Sequence, residues 1–170
     1  RCRPKRPNGG SGSMAPQVAN TPTNLTTNAF TRVGYTFAGW NTIAGGGGTA
    51  YANGAAYPFT ADVTLYAQWT INQYSLTYNA GVGGTISGTT PQTVNHGASG
   101  SAVTAVPNPG FAFVNWSDLS TANPRTDTNV TGPITVTANF VATYTLGVAA
   151  MGSGSVTKNP DQAAYNNGTV

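Results

Sequence analysis

Alternation of apolar and polar residues at period two marks several segments of this chain as strands with one buried face. Val63-Thr64-Leu65-Tyr66-Ala67-Gln68-Trp69 is the most regular, with Val63, Leu65, Ala67 and Trp69 facing one way. Ile134-Thr135-Val136-Thr137-Ala138-Asn139-Phe140 follows the same pattern, and Tyr74-Ser75-Leu76-Thr77-Tyr78 and Tyr144-Thr145-Leu146 are shorter openings. A different strand, Gly34-Tyr35-Thr36-Phe37-Ala38-Gly39-Trp40, recurs 76 residues later as Gly110-Phe111-Ala112-Phe113-Val114-Asn115-Trp116. Tyr35 and Phe37 share a face of it. Trp40 falls three residues beyond Phe37, so either a bulge returns the indole to that face or it covers the other side.

Turn chemistry separates these strands. Arg32-Val33-Gly34, Asn53-Gly54, Asn95-His96-Gly97 and Gly152-Ser153-Gly154 are turn sequences, and 44–49 is too glycine-rich to be regular. Further strands are expected around 92–94 and 102–106, and one short helical turn at 55–59. Pro16-Gln17 corresponds to Pro91-Gln92, each after a glycine-rich hairpin turn. A period of 70–76 residues organises the chain as a tandem array. It predicts a lead-in at 1–7, disordered or non-native, and a first repeat at 8–70 lacking its first strand. A complete second repeat at 71–142 and the N-terminal half of a third at 143–170 follow.

Composition supports a mainly β fold, α+β at most. Only 11 of 170 residues are charged, Glu is absent, and Gly, Thr, Asn, Ala and Ser separate the aromatic and β-branched residues. The net charge of +3 misleads, because Arg1, Arg3, Lys5 and Arg6 crowd the start. From Asn8 onward three cations face four aspartates, so the body has no basic face for nucleic acid. Cys2 is the only cysteine, which leaves no disulfide framework. No apolar run is long enough to insert in a membrane.

With Gly34 to Trp40, Gly48-Thr49-Ala50-Tyr51 and Val63 to Trp69 in one unit, the first repeat resembles the Listeria-Bacteroides repeat, also called the internalin B-repeat. The second and third units resemble its divergent bacterial relatives, keeping the Tyr-led first strand and the Pro-Gln and Asn-X-Gly positions. The resemblance implies small β-grasp-like modules of about four strands with at most a short helix each. It also implies tandem arrays in large secreted or wall-attached bacterial proteins, acting as stalks and adhesion segments without catalytic residues.

Candidate chemistry is sparse. His96, the only histidine, stands where the third copy has Asn167, and reads as a turn residue rather than a general base or metal ligand. Asp118 and Asp127 share one loop and could approach a Ca²⁺, but two carboxylates make a poor cage and read better as solvated turn residues. The 44–49 run lacks the Lys-Ser/Thr of a phosphate loop. A lysine isopeptide staple is excluded from the second repeat, which has no lysine. The chain is therefore expected to be non-enzymatic, with no cofactor or metal. Tyr35, Phe37, Trp40, Leu65 and Trp69 in the first repeat and Phe111, Phe113, Trp116 and Phe140 in the second are its structural anchors. Its partners are expected to be neighbouring repeats and a protein or glycan on a surface, its location extracellular or at the cell surface. The alternative is a carbohydrate-binding accessory module of a secreted hydrolase.

Overall fold

The computed structural model describes residues 2–149, 151–155, 157 and 165–166. These contain strands, turns and bends and no α-helix, and the chain divides into two compact units, Arg1–Gln73 and Tyr74–Val170. The expected helical turn at 55–59 does not form: Ala56–Tyr57 is a strand that pairs with Thr23–Asn24 and buries the Tyr57 ring.

The first unit contains β1 (Cys2–Arg3), β2 (Lys5–Arg6), β3 (Gln17–Val18), β4 (Thr23–Asn24), β5 (Tyr35–Asn41), β6 (Ala50–Tyr51), β7 (Ala56–Tyr57) and β8 (Leu65–Ile71). Its main sheet runs β2-β8-β5-β6, with β1-β3 and β4-β7 as separate ribbons. The second contains β9 (Gln73–Ala80), β10 (Gly84–Ser87), β11 (Gln92–Asn95), β12 (Thr104–Pro107), β13 (Phe111–Trp116), β14 (Ile134–Tyr144) and β15 (Tyr165–Asn166). There the order is β11-β9-β14-β13, with β15 on the end of β14 and β10-β12 as a separate ribbon.

Each main sheet has the same centre. A closing strand, β8 or β14, lies between an antiparallel anchor strand, β5 or β13, and a parallel opening strand, β2 or β9. Register makes the equivalence specific: Phe37 faces Trp69 as Phe113 faces Phe140, and Trp40 faces Ala67 as Trp116 faces Ala138. Lys5 faces Leu65 as Tyr78 faces Val136, so Lys5 and Arg3 occupy the positions of Tyr78 and Leu76.

That pairing corrects two expectations. Residues 2–7 include two strands, and the first repeat does not lack its opening strand, because β2 fills it. Four cations in seven residues argued for disorder, yet Arg3 is fully buried and Lys5 is only 5% exposed. Main-chain pairing to β8, together with the Leu65 amide donating to the Pro4 carbonyl at 3.0 Å, holds the segment whatever its side chains are. Of the expected third-copy opening Tyr144-Thr145-Leu146, Tyr144 is the last residue of β14 and 145–149 form no strand.

Two separate cores result. Leu25, Phe30, Trp40, Tyr57, Phe59, Leu65 and Ala67 are buried together in the first unit. Leu76, Tyr78, Val103, Ala105, Trp116, Val130, Val136 and Ala138 are buried together in the second.

Candidate functional site

The anchor strands decide where the large rings go. In β5 the register shifts between Phe37 and Gly39, and in β13 between Phe113 and Asn115. Each shift is a bulge at the same place in the repeat, and it turns the Trp back to the face of the Phe two strand positions earlier. Trp40 and Trp116 are fully buried in consequence. Phe37 packs edge-on against Trp40 at 4.9 Å and Trp69 at 5.7 Å, and Phe113 packs likewise on Trp116 at 5.8 Å and Phe140 at 6.1 Å. Leu65 is fully buried, whereas Tyr35 and Phe111 begin their strands half-buried, Tyr35 under the Arg32 guanidinium at 3.7 Å. None of the nine anchors stands clear of its unit as an isolated exposed ring.

Glycine completes this packing where a ring lies on backbone. A Cβ on Gly10 would approach the Trp69 ring to 2.7 Å, and one on Gly84 would overlap the equivalent Phe140 ring. The indole Nε1 of Trp69 donates to the Pro7 carbonyl and that of Trp116 to the Ala122 carbonyl, both at 2.8 Å, while Trp40 Nε1 is buried without an acceptor among the described residues.

Asp118 and Asp127 do come together, but around a cation of the chain's own. Arg125 is 7% exposed, and its Nε and Nη2 donate to the two Asp127 carboxylate oxygens at 2.8 and 2.7 Å. Its Nη1 donates to Asp118 at 2.9 Å, and the guanidinium carbon lies 5.5 Å from the centre of the Trp116 ring. Tyr78 adds its hydroxyl to Asp127 at 2.7 Å. The Arg125 hydrogen bonds hold the Asp127 carboxyl below the usual carboxylate range despite its burial, and burial plus the bond to Asp127 raise the Tyr78 phenol. Asp118 does stand in an exposed turn, as expected, whereas Asp127 is not a solvated turn residue; together they neutralise a buried arginine, whose main chain is bridged to Val103 in both directions. Asp62 lies apart in sequence, and no group of three metal-ligating side chains forms among the described residues. Sequence reasoning missed Arg125 because a lone arginine in a polar loop carries no periodicity.

His96 sits in its turn with Nδ1 3.4 Å from the Tyr74 hydroxyl and no carboxylate in that contact. The 44–49 loop is organised by Asn41, whose side chain donates to the Gly46 and Gly48 carbonyls and accepts from the Ile43 and Gly48 amides. Within the loop the Gly48 amide is thus turned to Asn41, the Thr49 amide to the Thr42 hydroxyl and the Gly46 amide to the Ile43 carbonyl. Beside it a shallow groove of ≈ 470 Å³ runs past Gly39, Asn41, Gly46, Tyr51 and Gln68.

The glutamines of the two Pro-Gln pairs do the same structural work. Gln17 Oε1 accepts from the Thr26 amide at 2.8 Å, and Gln92 Oε1 from the Ser101 amide at 2.7 Å, nine residues on in each case. Gln17 also receives the Lys5 amine, which burial holds below its ordinary pKa.

Residues 6–68 match the Listeria-Bacteroides repeat domain, and residues 74–143 match the divergent InlB B-repeat domain. The chain belongs to the InlB B-repeat families. Two relatives carry related sequence: internalin H of Listeria monocytogenes is 34% identical over 97 residues, 57% of this chain. A protein of Evansella cellulosilytica, described by its name as a Gly-rich membrane protein, is 47% identical over 55 residues, 32% of this chain. This B-repeat chain spans 17% of the first relative's length and 6% of the second's. No solved structure matches it.

Proposed function

We propose that this B-repeat tandem is a non-enzymatic segment of a bacterial surface or secreted protein, serving as a spacer that also presents surface for adhesion. The observation that carries this reading is what the two units hold in common. Both keep the bulged anchor strand, the Phe-Trp-aromatic cluster, the parallel opening strand and the glutamine clasp. Outside that shared frame they diverge: the first unit has the Asn41-centred glycine loop, the second the Arg125 cluster. A repeat that conserves packing between copies while varying its loops is built to extend a chain. The titratable groups nearest to chemistry are already engaged, Asp127 and Asp118 with Arg125 and Tyr78 with Asp127.

A surface location fits the internalin relative and the membrane-named relative. A glycan-binding accessory role is the second reading, favoured by the groove beside the half-buried Tyr51, since a ring at a groove wall can stack on a sugar. Incubating the purified chain with a panel of polysaccharides and esters separates these readings from an enzymatic one. No turnover above background is expected, and reproducible turnover that follows the folded chain through purification contradicts the proposal.

A further inference from the structure

Lys5 is the described lysine of the chain, and its amine lies against a carboxamide rather than a carboxylate. Only 5% of Lys5 is exposed, and Nζ donates to Gln17 Oε1 at 3.1 Å and to the Thr26 hydroxyl. The same Oε1 accepts from the Thr26 amide at 2.8 Å and the Thr26 hydroxyl at 3.2 Å. A carbonyl oxygen has two lone pairs, so three donor groups converging on one oxygen polarise its carbon strongly. Gln17 Nε2 is drawn the other way, donating to the Asn24 carbonyl at 2.7 Å. Amine, carbonyl and leaving nitrogen are thereby held in order by β2, β3 and the 24–26 segment.

We propose that Lys5 and Gln17 form an intramolecular amide cross-link in the first unit, with release of ammonia. The Gln17 Cδ lies one C=O bond of about 1.23 Å beyond Oε1, which places it within about 4.3 Å of Nζ. The neutral amine attacks Cδ, and a new Nζ–Cδ bond forms as the C=O electron pair moves onto Oε1. The attacking nitrogen passes one proton to the Thr26 hydroxyl, whose own proton goes to Oε1. The tetrahedral carbon then re-forms its C=O, the Oε1 proton moves to Nε2, and the Cδ–Nε2 bond breaks to free NH₃. One C–N bond replaces another and no oxidant or co-reactant is consumed. Burial favours the neutral, nucleophilic amine. Fixed proximity supplies what an unactivated carboxamide lacks in solution, since effective molarities of oriented groups reach about 10⁵ M and above.

The second unit is an internal control. Gln92 has the same clasp on the residue nine positions on, but the register position of Lys5 is held there by Tyr78, which has no amine.

Intact-mass and fragment-ion mass spectrometry of the folded 170-residue chain test the proposal. The expected mass is lower than that of the sequence by one ammonia, with Lys5 and Gln17 recovered in one joined peptide after proteolysis. Lys5→Arg, which retains the charge, and Gln17→Met should each return the full mass. Thr26→Val should slow the loss. A wild-type chain that keeps its full mass after prolonged incubation overturns the cross-link. So does an ammonia loss that persists in Lys5→Arg, since that places the new bond on Thr26 or elsewhere.

Discussion

Arg125 illustrates how much one side chain can require of its surroundings. A buried guanidinium needs acceptors, and Asp127 and Asp118 supply them from one loop, while the Tyr78 hydroxyl of β9 donates to Asp127 and holds that carboxylate in place. Asp127 titrates in the folded chain below its ordinary value of 3.8, because Arg125 stabilises the carboxylate. Its contribution to stability is therefore complete above the ordinary pKa and is lost as pH falls below 3.8 through the folded value. The second unit should lose stability through that acid window, and Asp127→Asn should flatten the dependence in chemical-denaturation series across pH. The same substitution should cost about 3 kcal/mol at neutral pH, the lower end for breaking a buried pair, because Asp118 still faces the arginine. An unchanged acid profile in Asp127→Asn would assign the pH dependence to other carboxylates.

At the scale of elements, the opening strand separates what was readable from what was not. The closing strands were legible because alternation at period two survives in both copies: Leu65 and Ala67, like Val136 and Ala138, are buried as the pattern requires. The bulge was legible as one of two alternatives, since a three-residue Phe-to-Trp spacing violates the period and something must compensate. The opening segment formed by β1 and β2 was not legible, because its inward positions carry Arg3 and Lys5 where β9 carries Leu76 and Tyr78. Sequence pattern identifies a strand by its side chains, whereas here main-chain pairing to β8 forms it. Asp118 and Asp127 were recognised as neighbours but not as partners of Arg125, since contacts across a loop leave no period to read. Arg3 is the weak point of this element: its guanidinium stacks on Tyr57 at 4.3 Å but has no hydrogen-bond acceptor among the described residues. Replacing buried ion pairs by apolar side chains is often neutral or stabilising by about 1 to 4 kcal/mol, and an ion without an acceptor has less to lose. Arg3→Leu, which installs the residue of the second unit, should raise the denaturation midpoint of the first unit and leave the second unchanged. A lowered midpoint would mean that the guanidinium does find a partner in solution.

For the whole molecule, the central claim is that one module has been built twice, each copy around its own core. Each buried cluster draws on one unit: the first is sealed by Trp40 and the second by Trp116. Modules of this size have little stability to spare, about 5 kcal/mol being common for small domains. Truncating a buried Trp costs about 3 to 5 kcal/mol, so Trp116→Ala should unfold the second unit and spare the first. Amide hydrogen exchange on Trp116→Ala reads both units in one experiment. Protection should collapse across Phe111–Trp116 and Ile134–Tyr144 while Tyr35–Asn41 and Leu65–Ile71 keep wild-type rates; a single cooperative loss of protection across all four strands would contradict the account.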